Sequence, residues 1–395
     1  MPQNPPQTND RLNSLNRLKE HIPRKHEQNL IRFLKAGRVM VLYGPRRAGK
    51  TTLVKRVMEE LDEEALYLTG EDIFTRQALS SQSVEKLRNL VGDKELIVID
   101  EAQHVPKIGL NLKLLVDHVP GLKIIATGSS SFELARDVGE PLTGRKITLT
   151  LFPLAQDEIA ARENSAQTRA NLECRLVYGT YPEVVTASDD KERELFLREM
   201  VGSYLLKDIL AYDGVRHSDK LVRLLQLLAL QVGKEVSCAE LGQKLGMSKN
   251  TVDRYLDLLE KVFVIYRLTG FSRNLRKEIT KNNRCFFYDN GIRNALINNF
   301  NGLHIRDDIG MIWENYIITE RRKLHENRLE SRNMYFWRTY DHKEVDLVEE
   351  SGGRLSAFEI KWSPKKAKVP HLWEETYPGS HVRIINSENY LHFIN

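Results

Sequence analysis

The sequence predicts an α/β protein of several units, and three observations carry that prediction. Over residues 36–155, apolar β-rich runs alternate with amphipathic helical stretches, the pattern of a parallel sheet covered by helices. From about residue 216, three helical patterns lead into one β-run, FVIYRLTGF. Near the C-terminus a helical stretch precedes YFWRTY, EVDLVEE and LSAFEIKW, the last two joined through Ser-Gly-Gly. At 395 residues, with 41% hydrophobic and 29% charged content, the chain is too long for one core and ordinary for folded protein.

Composition sets limits before any motif is read. A formal charge of +5 permits an acidic partner without demanding one. Cys174, Cys238 and Cys285 are odd in number, far apart and without a CxxC pair, which suits structural thiols in a reducing compartment. The beginning, MPQNPPQTND, lacks the basic and then apolar run of a secretory signal. The longest apolar stretch, LLQLLALQV from Leu224, is too short for a bilayer. The expectation is a cytoplasmic protein with no membrane partner.

Residues 1–35 read as a tail and a leading helix. RVMVLYGPRRAGKTTLVKRV then gives a buried-strand run, a glycine-punctuated loop and a helix start, which sets GxxxxGK[ST] between a strand and a helix. Gly44 and Gly49 let the backbone curl so that its N–H groups face phosphates, with Pro45, Arg46, Arg47, Ala48 and Thr52 completing the cradle. Lys50 would reach the outer phosphates of ATP or ADP and Thr51 would supply an oxygen to Mg2+.

ELIVIDEAQHV supplies a second strand ending in acids, a Walker B pattern. Asp100 would hold magnesium and Glu101 would orient and deprotonate the attacking water. A third strand, LKIIATGSSSFEL, ends in Thr127, Ser129 and Ser130. Ser129 is the expected sensor of the γ-phosphate or the water, with a helix N-cap as the alternative. Arg136 and Arg145 are candidates to stabilise transition-state charge across a subunit boundary, or else to pair with surface acids.

These segments, GPRRAGKTT, LIVIDEAQ, TGSSSFEL and GRKITLTLFPL, together resemble AAA-type ATPases of bacteria and archaea in which an AAA domain is followed by a DUF4143 region. YGTYPEVV, WENYIITE and the YFWRTY to FEIKW stretch extend the resemblance over nearly the whole chain. It implies an additional-strand or Orc-like AAA core and assigns Lys50, Thr51, Asp100 and Glu101 to the nucleotide.

Residues 156–215 read as a helical lid or connector in which Gly179 and Pro182 mark a turn, and Tyr178 and Tyr181 pack in its core. Residues 216–275 read as a winged helix-turn-helix. Ser237 and Ser248 are N-caps, Gly246 makes the turn, and the third helix buries Val252, Tyr255, Leu256 and Leu259. Lys249, Asn250 and Arg254 would face DNA, and Arg267, Arg273, Arg276 and Lys277 would extend the basic surface, against Asp253 and Asp257 on the same helix.

Residues 276–395 carry the order of a PD-(D/E)xK nuclease core: a helix bearing Glu314 and Glu320, a strand with Asp346, then Glu359 and Lys361 on one strand face. Asp346 and Glu359 would share a metal, with one of the two helix glutamates added and Lys361 at the water. Lys365, Lys366 and Lys368 follow as a run that could lie along a phosphate backbone. The expected whole is a magnesium-dependent ATPase acting on DNA, a DNA-binding or DNA-remodelling motor with a nuclease-like C-terminal domain that assembles as a homo-oligomeric ring. An ATP-gated nuclease and a nucleotide-controlled switch are the alternatives.

Overall fold

The computed structural model describes residues 22–129, 142–205, 209, 218–272, 283–339, 343–364 and 371–395. The first sheet is five-stranded and wholly parallel: β1 (Val39–Tyr43), β2 (Ala65–Thr69), β3 (Leu96–Asp100), β4 (Lys123–Gly128) and β5 (Lys146–Thr150), in spatial order β2-β3-β4-β1-β5. The inserted strand β4 separates β1 from β3, as an additional-strand core requires. Both faces are covered. Val39, Val41 and Tyr43 belong to one apolar cluster, while Met40 and Leu42 pack with Leu30 of α1 (Lys25–Phe33) and Leu53, Val54 and Val57 of α2 (Lys50–Leu61). Burial on both sides explains why β1 and β3 read as unbroken apolar runs. Parallel strands also emerge at one edge of the sheet, which sets Tyr43, Asp100 and Gly128 beside one another.

The middle unit contains α3 (Ser218–Leu230), β6 (Glu235–Val236), α4 (Cys238–Leu245), α5 (Lys249–Lys261), β7 (Ile265–Gly270) and β8 (Asn283–Phe287). Ser237 and Ser248 accept the backbone N–H groups of Glu240 and Thr251 at 3.3 and 3.1 Å, and Gly246 stops α4 at φ +60°. The buried face of α5 is Val252, Tyr255, Leu256 and Leu259. Strand β8 pairs antiparallel with both β6 and β7, so the sequence-based boundary at 275 cuts through this sheet. The unit needs β8, which the polar KNNR stretch conceals in the sequence.

A further difference concerns autonomy. Strand β7 also pairs in parallel with β9 (Asn333–Arg338), through Thr269 with Tyr335 and Gly270 with Phe336. The middle unit and the C-terminal strands therefore form one seven-stranded sheet, β12-β11-β10-β9-β7-β8-β6. In its distal part, β10 (Glu344–Ser351) and β11 (Arg354–Ile360) form a hairpin whose turn residues Gly352 and Gly353 have φ of +56° and +76°, and β12 (Val382–Ile385) adds in parallel. Two consecutive positive φ values are what a two-residue type I′ turn demands, hence the Gly-Gly.

This half also contains the helices α6 (Asn290–Leu296) and α7 (Ile309–Asn327). Helix α7 fastens the halves together where β5 ends. Glu326 Oε1 accepts the Thr150 N–H at 2.9 Å, Glu320 Oε2 accepts the Gln156 N–H at 2.6 Å, and Lys323 Nζ donates to the Leu154 carbonyl at 3.1 Å. Among the described residues no helix is long and apolar enough to cross a membrane.

Candidate functional site

The glycine loop leaves β1 and curls into the N-terminus of α2. Gly44 has φ +155°, and a Cβ there would lie 2.1 Å from the Leu151 carbonyl oxygen, so only glycine fits where β5 runs past the loop. Gly49, the N-cap of α2, has φ +92°. Lys50 is buried, its Nζ donating to the carbonyls of Gly44 and Pro45 at 3.0 and 2.9 Å. A cation folded back onto its own loop is poised to exchange those carbonyls for phosphate oxygens. Arg47 takes φ +61° and lies 3.5 Å from Glu183.

Asp100 collects hydroxyls. Thr51 Oγ1 and Tyr67 Oη each donate to its Oδ2 at 2.7 Å, and Thr127 Oγ1 donates to Oδ1. Burial, helped by the bond to Asp100, raises the Tyr67 phenol well above its ordinary range, so it stays a donor. Thr51 and Asp100 thus share the position where a magnesium ion beside the phosphates would take its protein oxygens. The fit is good: a hydroxyl and a carboxylate converge there, and the loop is bare of side-chain bulk at Gly44 and Gly49.

Glu101 follows with φ +49°, held by its N–H to Thr127 Oγ1 at 3.0 Å. Its carboxylate accepts from Gln103 Nε2, which also donates to Ser129 Oγ at 3.0 Å. Ser129 is therefore brought to the acids at the strand ends. Arg145 is not: its carbonyl binds the N–H of Val39, at the opposite end of the sheet, and its guanidinium pairs with Asp117. It cannot serve the loop of its own chain. Arg136 and Ser130 lie outside the described residues.

Sequence reasoning missed several contributors. Arg24, buried ahead of α1, donates to the Ala48 carbonyl at 2.6 Å, to the Phe152 carbonyl at 2.7 Å and to Glu158 at 3.0 Å, so it ties loop, β5 exit and connector together. Beside it a cavity of about 120 Å³ is lined by Ile22, Gly49, Thr52, Leu53, Leu154 and Pro182. Nothing local to PRKH or YPEVV signals this meeting, because it joins segments more than a hundred residues apart. Gln103, by contrast, stands two residues after Glu101 and was legible. Tyr178 stacks on Phe300 with ring centroids 5.7 Å apart, while buried Tyr181 lines a second cavity with Pro45, Arg46, Phe263 and Tyr288.

On the middle unit, Lys249, Asn250 and Arg254 of α5 are exposed. Arg267 departs from the expected outward basic surface. Its guanidinium binds Glu260 at 2.8 Å, Asp253 at 3.2 Å and also Asp257, so it neutralises the acidic stripe of α5. Arg273, Arg276, Lys277, Lys365, Lys366 and Lys368 lie outside the described residues.

The C-terminal acids do assemble, but around cations of the chain. Arg284 of β8, stacked 4.6 Å over the Phe336 ring, reaches Glu344 at 2.6 Å, Glu314 at 3.5 Å and Asp346 at 3.7 Å. Lys361 Nζ lies 2.6 Å from Glu359 and 3.2 Å from Asp346, and Asp346 also accepts the Ile360 N–H at 2.8 Å. Of the two helix glutamates Glu314 faces this cluster; Glu320 turns to Lys323 at 2.8 Å and to the first sheet.

Burial and then the Asp346 charge push Glu359 up to about 7 and Glu314 well above its usual range. Among the described residues no three His, Cys, Asp or Glu side chains are arranged to hold a metal ion. Arg284, sixty positions upstream of Glu344, and Lys361 pair with the carboxylates of this cluster.

Comparison with known proteins matches three stretches of the chain to family models. Residues 36–160 match the AAA domain family, residues 309–386 match a domain of unknown function, DUF4143, and residues 169–302 match another, DUF8612, which runs across the boundaries expected at 215 and 275. The uncharacterized protein Rv2008c of Mycobacterium tuberculosis is 31% identical over 84% of this chain and 72% of its own. The uncharacterized protein MJ1544 of Methanocaldococcus jannaschii is 22% identical over 79% of this chain and 72% of its own.

Solved structures of RuvB from Thermotoga maritima overlay 58% of this chain and 82% of theirs at 18% identity, with a TM-score of 0.30, a likeness too loose to bear on function. The AAA match, the DUF4143 match and the relatives in mycobacteria together place the chain in the family of AAA-type ATPases that carry a C-terminal DUF4143 region.

Proposed function

We propose that this chain is a magnesium-dependent ATPase that acts on DNA. One observation carries the reading: Lys50, Thr51, Asp100, Glu101 and Ser129 converge where the parallel strands end, around a loop that only glycine can form at Gly44. Lys50 and the loop N–H groups bind the phosphates, and Thr51 with Asp100 holds magnesium, which would neutralise charge on the β- and γ-phosphates. Glu101 takes the proton of the attacking water as its oxygen bonds to γ-phosphorus and the β–γ bridging bond breaks, leaving ADP and phosphate. The cavity beside Ile22, Thr52 and Pro182 is the seat of the base, and the buried Arg24 holds its walls together.

DNA is the partner favoured by the middle unit. Its helix, strand, two further helices and antiparallel strands in the order β6-β8-β7 follow a winged-helix plan. Lys249, Asn250 and Arg254 lie exposed on α5, whose acids Arg267 neutralises. The C-terminal unit, with a nuclease-like order of helix and strands, grips or orders a partner and does not cut. Subunits join as a homo-oligomer in this reading; Arg145, paired with Asp117 at the far end of the sheet from its own loop, would serve a neighbour's nucleotide if it serves one at all.

The test measures ATP turnover with magnesium, with and without single-stranded, duplex and branched DNA. The reading expects turnover stimulated by DNA, abolished by Lys50→Ala and Glu101→Gln, and no cleavage of any DNA. Turnover surviving in both variants refutes the ATPase. Turnover indifferent to every DNA replaces the motor with a nucleotide-controlled switch, a reading favoured by the cavity in which Pro45 and Arg46 of the phosphate loop meet Phe263 and Tyr288 of the DNA-side unit. DNA cleavage that is lost in an Asp346→Asn, Glu359→Gln double variant revives the nuclease.

A further inference from the structure

Between Glu101 and Ser129 stands a side chain to which neither motif nor family match gives a part. Gln103 belongs to a short turn, Ala102–His104, that β3 enters directly. Its amide nitrogen donates twice, to the Glu101 carboxylate and to Ser129 Oγ at 3.0 Å, which uses both of its protons. The orientation of this amide is fixed by chemistry: turned over, it would set its oxygen against a carboxylate that can only accept. The outcome is a carbonyl oxygen, Gln103 Oε1, that is buried and has no hydrogen-bond partner. A buried acceptor left bare costs free energy, and the site that leaves it so is complete only when a donor arrives.

We infer that Gln103 is a positioning residue for hydrolysis: its amide holds the Glu101 carboxylate in register with Ser129, and its free carbonyl oxygen accepts a hydrogen bond from the attacking water. The inference rests on the ATPase reading. Glu101 needs such a tether. Its backbone sits at φ +49° after the end of β3, and the Gln103 amide donates to its carboxylate. Ser129 arrives from β4, so the bridge spans two strands and links the base to the strand expected to sense the γ-phosphate. An acceptor for one water proton leaves the other proton for Glu101 and turns an oxygen lone pair towards phosphorus, which restricts the water to one attacking orientation.

Asp100 precedes Glu101 on β3, and the Tyr67 phenol on β2 feels the charges of Asp100, Glu101 and Glu71. The Gln103 amide donates directly to the Glu101 carboxylate. A neutral isostere without the amide, Gln103→Leu, lowers kcat roughly 10- to 100-fold while KM for ATP changes less than about twofold, since phosphate binding does not pass through this side chain. Gln103→Glu sets a second carboxylate against Glu101 and removes the donor to Ser129, so its kcat falls at least as far as that of Gln103→Leu. Gln103→Asn, too short to span both partners, falls between wild type and Gln103→Leu.

All variants are measured as full-length protein, with binding of a fluorescent ATP analogue as the check on folding. Lys50→Ala and Glu101→Gln run beside them. If those two retain turnover, the ATPase reading fails. If they lose it while Gln103→Leu or Gln103→Glu keeps wild-type kcat, the role assigned to Gln103 is overturned and the ATPase stands.

Discussion

Glu349 illustrates how one buried side chain can set an acid limit on stability. Burial alone would raise its carboxyl, but hydrogen bonds from His325 at 2.9 Å and Arg321 at 2.7 Å, with their charges, hold it down to about 2. A carboxylate whose folded value is depressed contributes stability above its unfolded value near 4.5, lost as pH falls from there to about 2. The contribution is on the order of 3 kcal/mol. Urea unfolding between pH 7 and pH 3 should show wild type losing stability more steeply than Glu349→Gln, which begins less stable at pH 7. Equal slopes would refute the assignment. At the same scale, Gly44→Ala sets a Cβ 2.1 Å from the Leu151 carbonyl oxygen, so the loop must shift. Nucleotide binding by isothermal calorimetry should fall below detection while the rest of the chain stays folded.

Elements were legible where their signals were local and hidden where partners came from afar. The glycine loop, the acids ending β3, both serine N-caps, the buried face of α5 and the Gly-Gly hairpin all depend on residues within one helical turn or one hairpin. The pairing of β7 with β9 and the insertion of Arg284 between Glu314, Glu344 and Asp346 do not, because no periodicity encodes which distant strand arrives.

Helix α5 gives the clearest case, since its charges read as conflicting until Arg267 is placed. Removing that arginine uncovers Asp253, Asp257 and Glu260 on the helix that we propose faces DNA. Arg267→Ala should weaken DNA binding about tenfold, the equivalent of about 1.4 kcal/mol. Adding Asp253→Asn and Asp257→Asn should restore it, whereas they should not rescue Lys249→Ala, which loses a contact. Fluorescence anisotropy at fixed salt checks this, and failure of the rescue would return Arg267 to the role of a direct phosphate ligand.

At the scale of the molecule, the two halves meet at the buried join of α7 with the connector. Lys323 is its hub: it donates to Glu320 at 2.8 Å, to Thr180 Oγ1 at 2.9 Å and to the Leu154 carbonyl at 3.1 Å, just past the strand that presses on Gly44. Asp289 lies across the same pocket, accepting the N–H groups of Thr180 and Gly291 at 2.7 and 2.8 Å. Burial raises its carboxyl to about 6, with the Lys323 charge opposing that rise. An acid whose folded value lies above its unfolded value near 3.8 favours folding fully below that point, and the benefit is lost as pH climbs through about 6.

Lys323→Met removes the charge that limits this loss and leaves Glu320 without its cation, so it should cost about 3–5 kcal/mol at pH 8. The deficit should shrink at pH 5, where Asp289 can take up a proton, and Lys323→Met with Glu320→Gln should recover part of it. Calorimetry at the two pH values measures both effects. If the join couples the halves, the single unfolding transition of the wild type should split in Lys323→Met, with the AAA half and the seven-stranded sheet melting separately. A deficit independent of pH would remove Asp289 from the account, and one unsplit transition would mean that the halves are held together elsewhere.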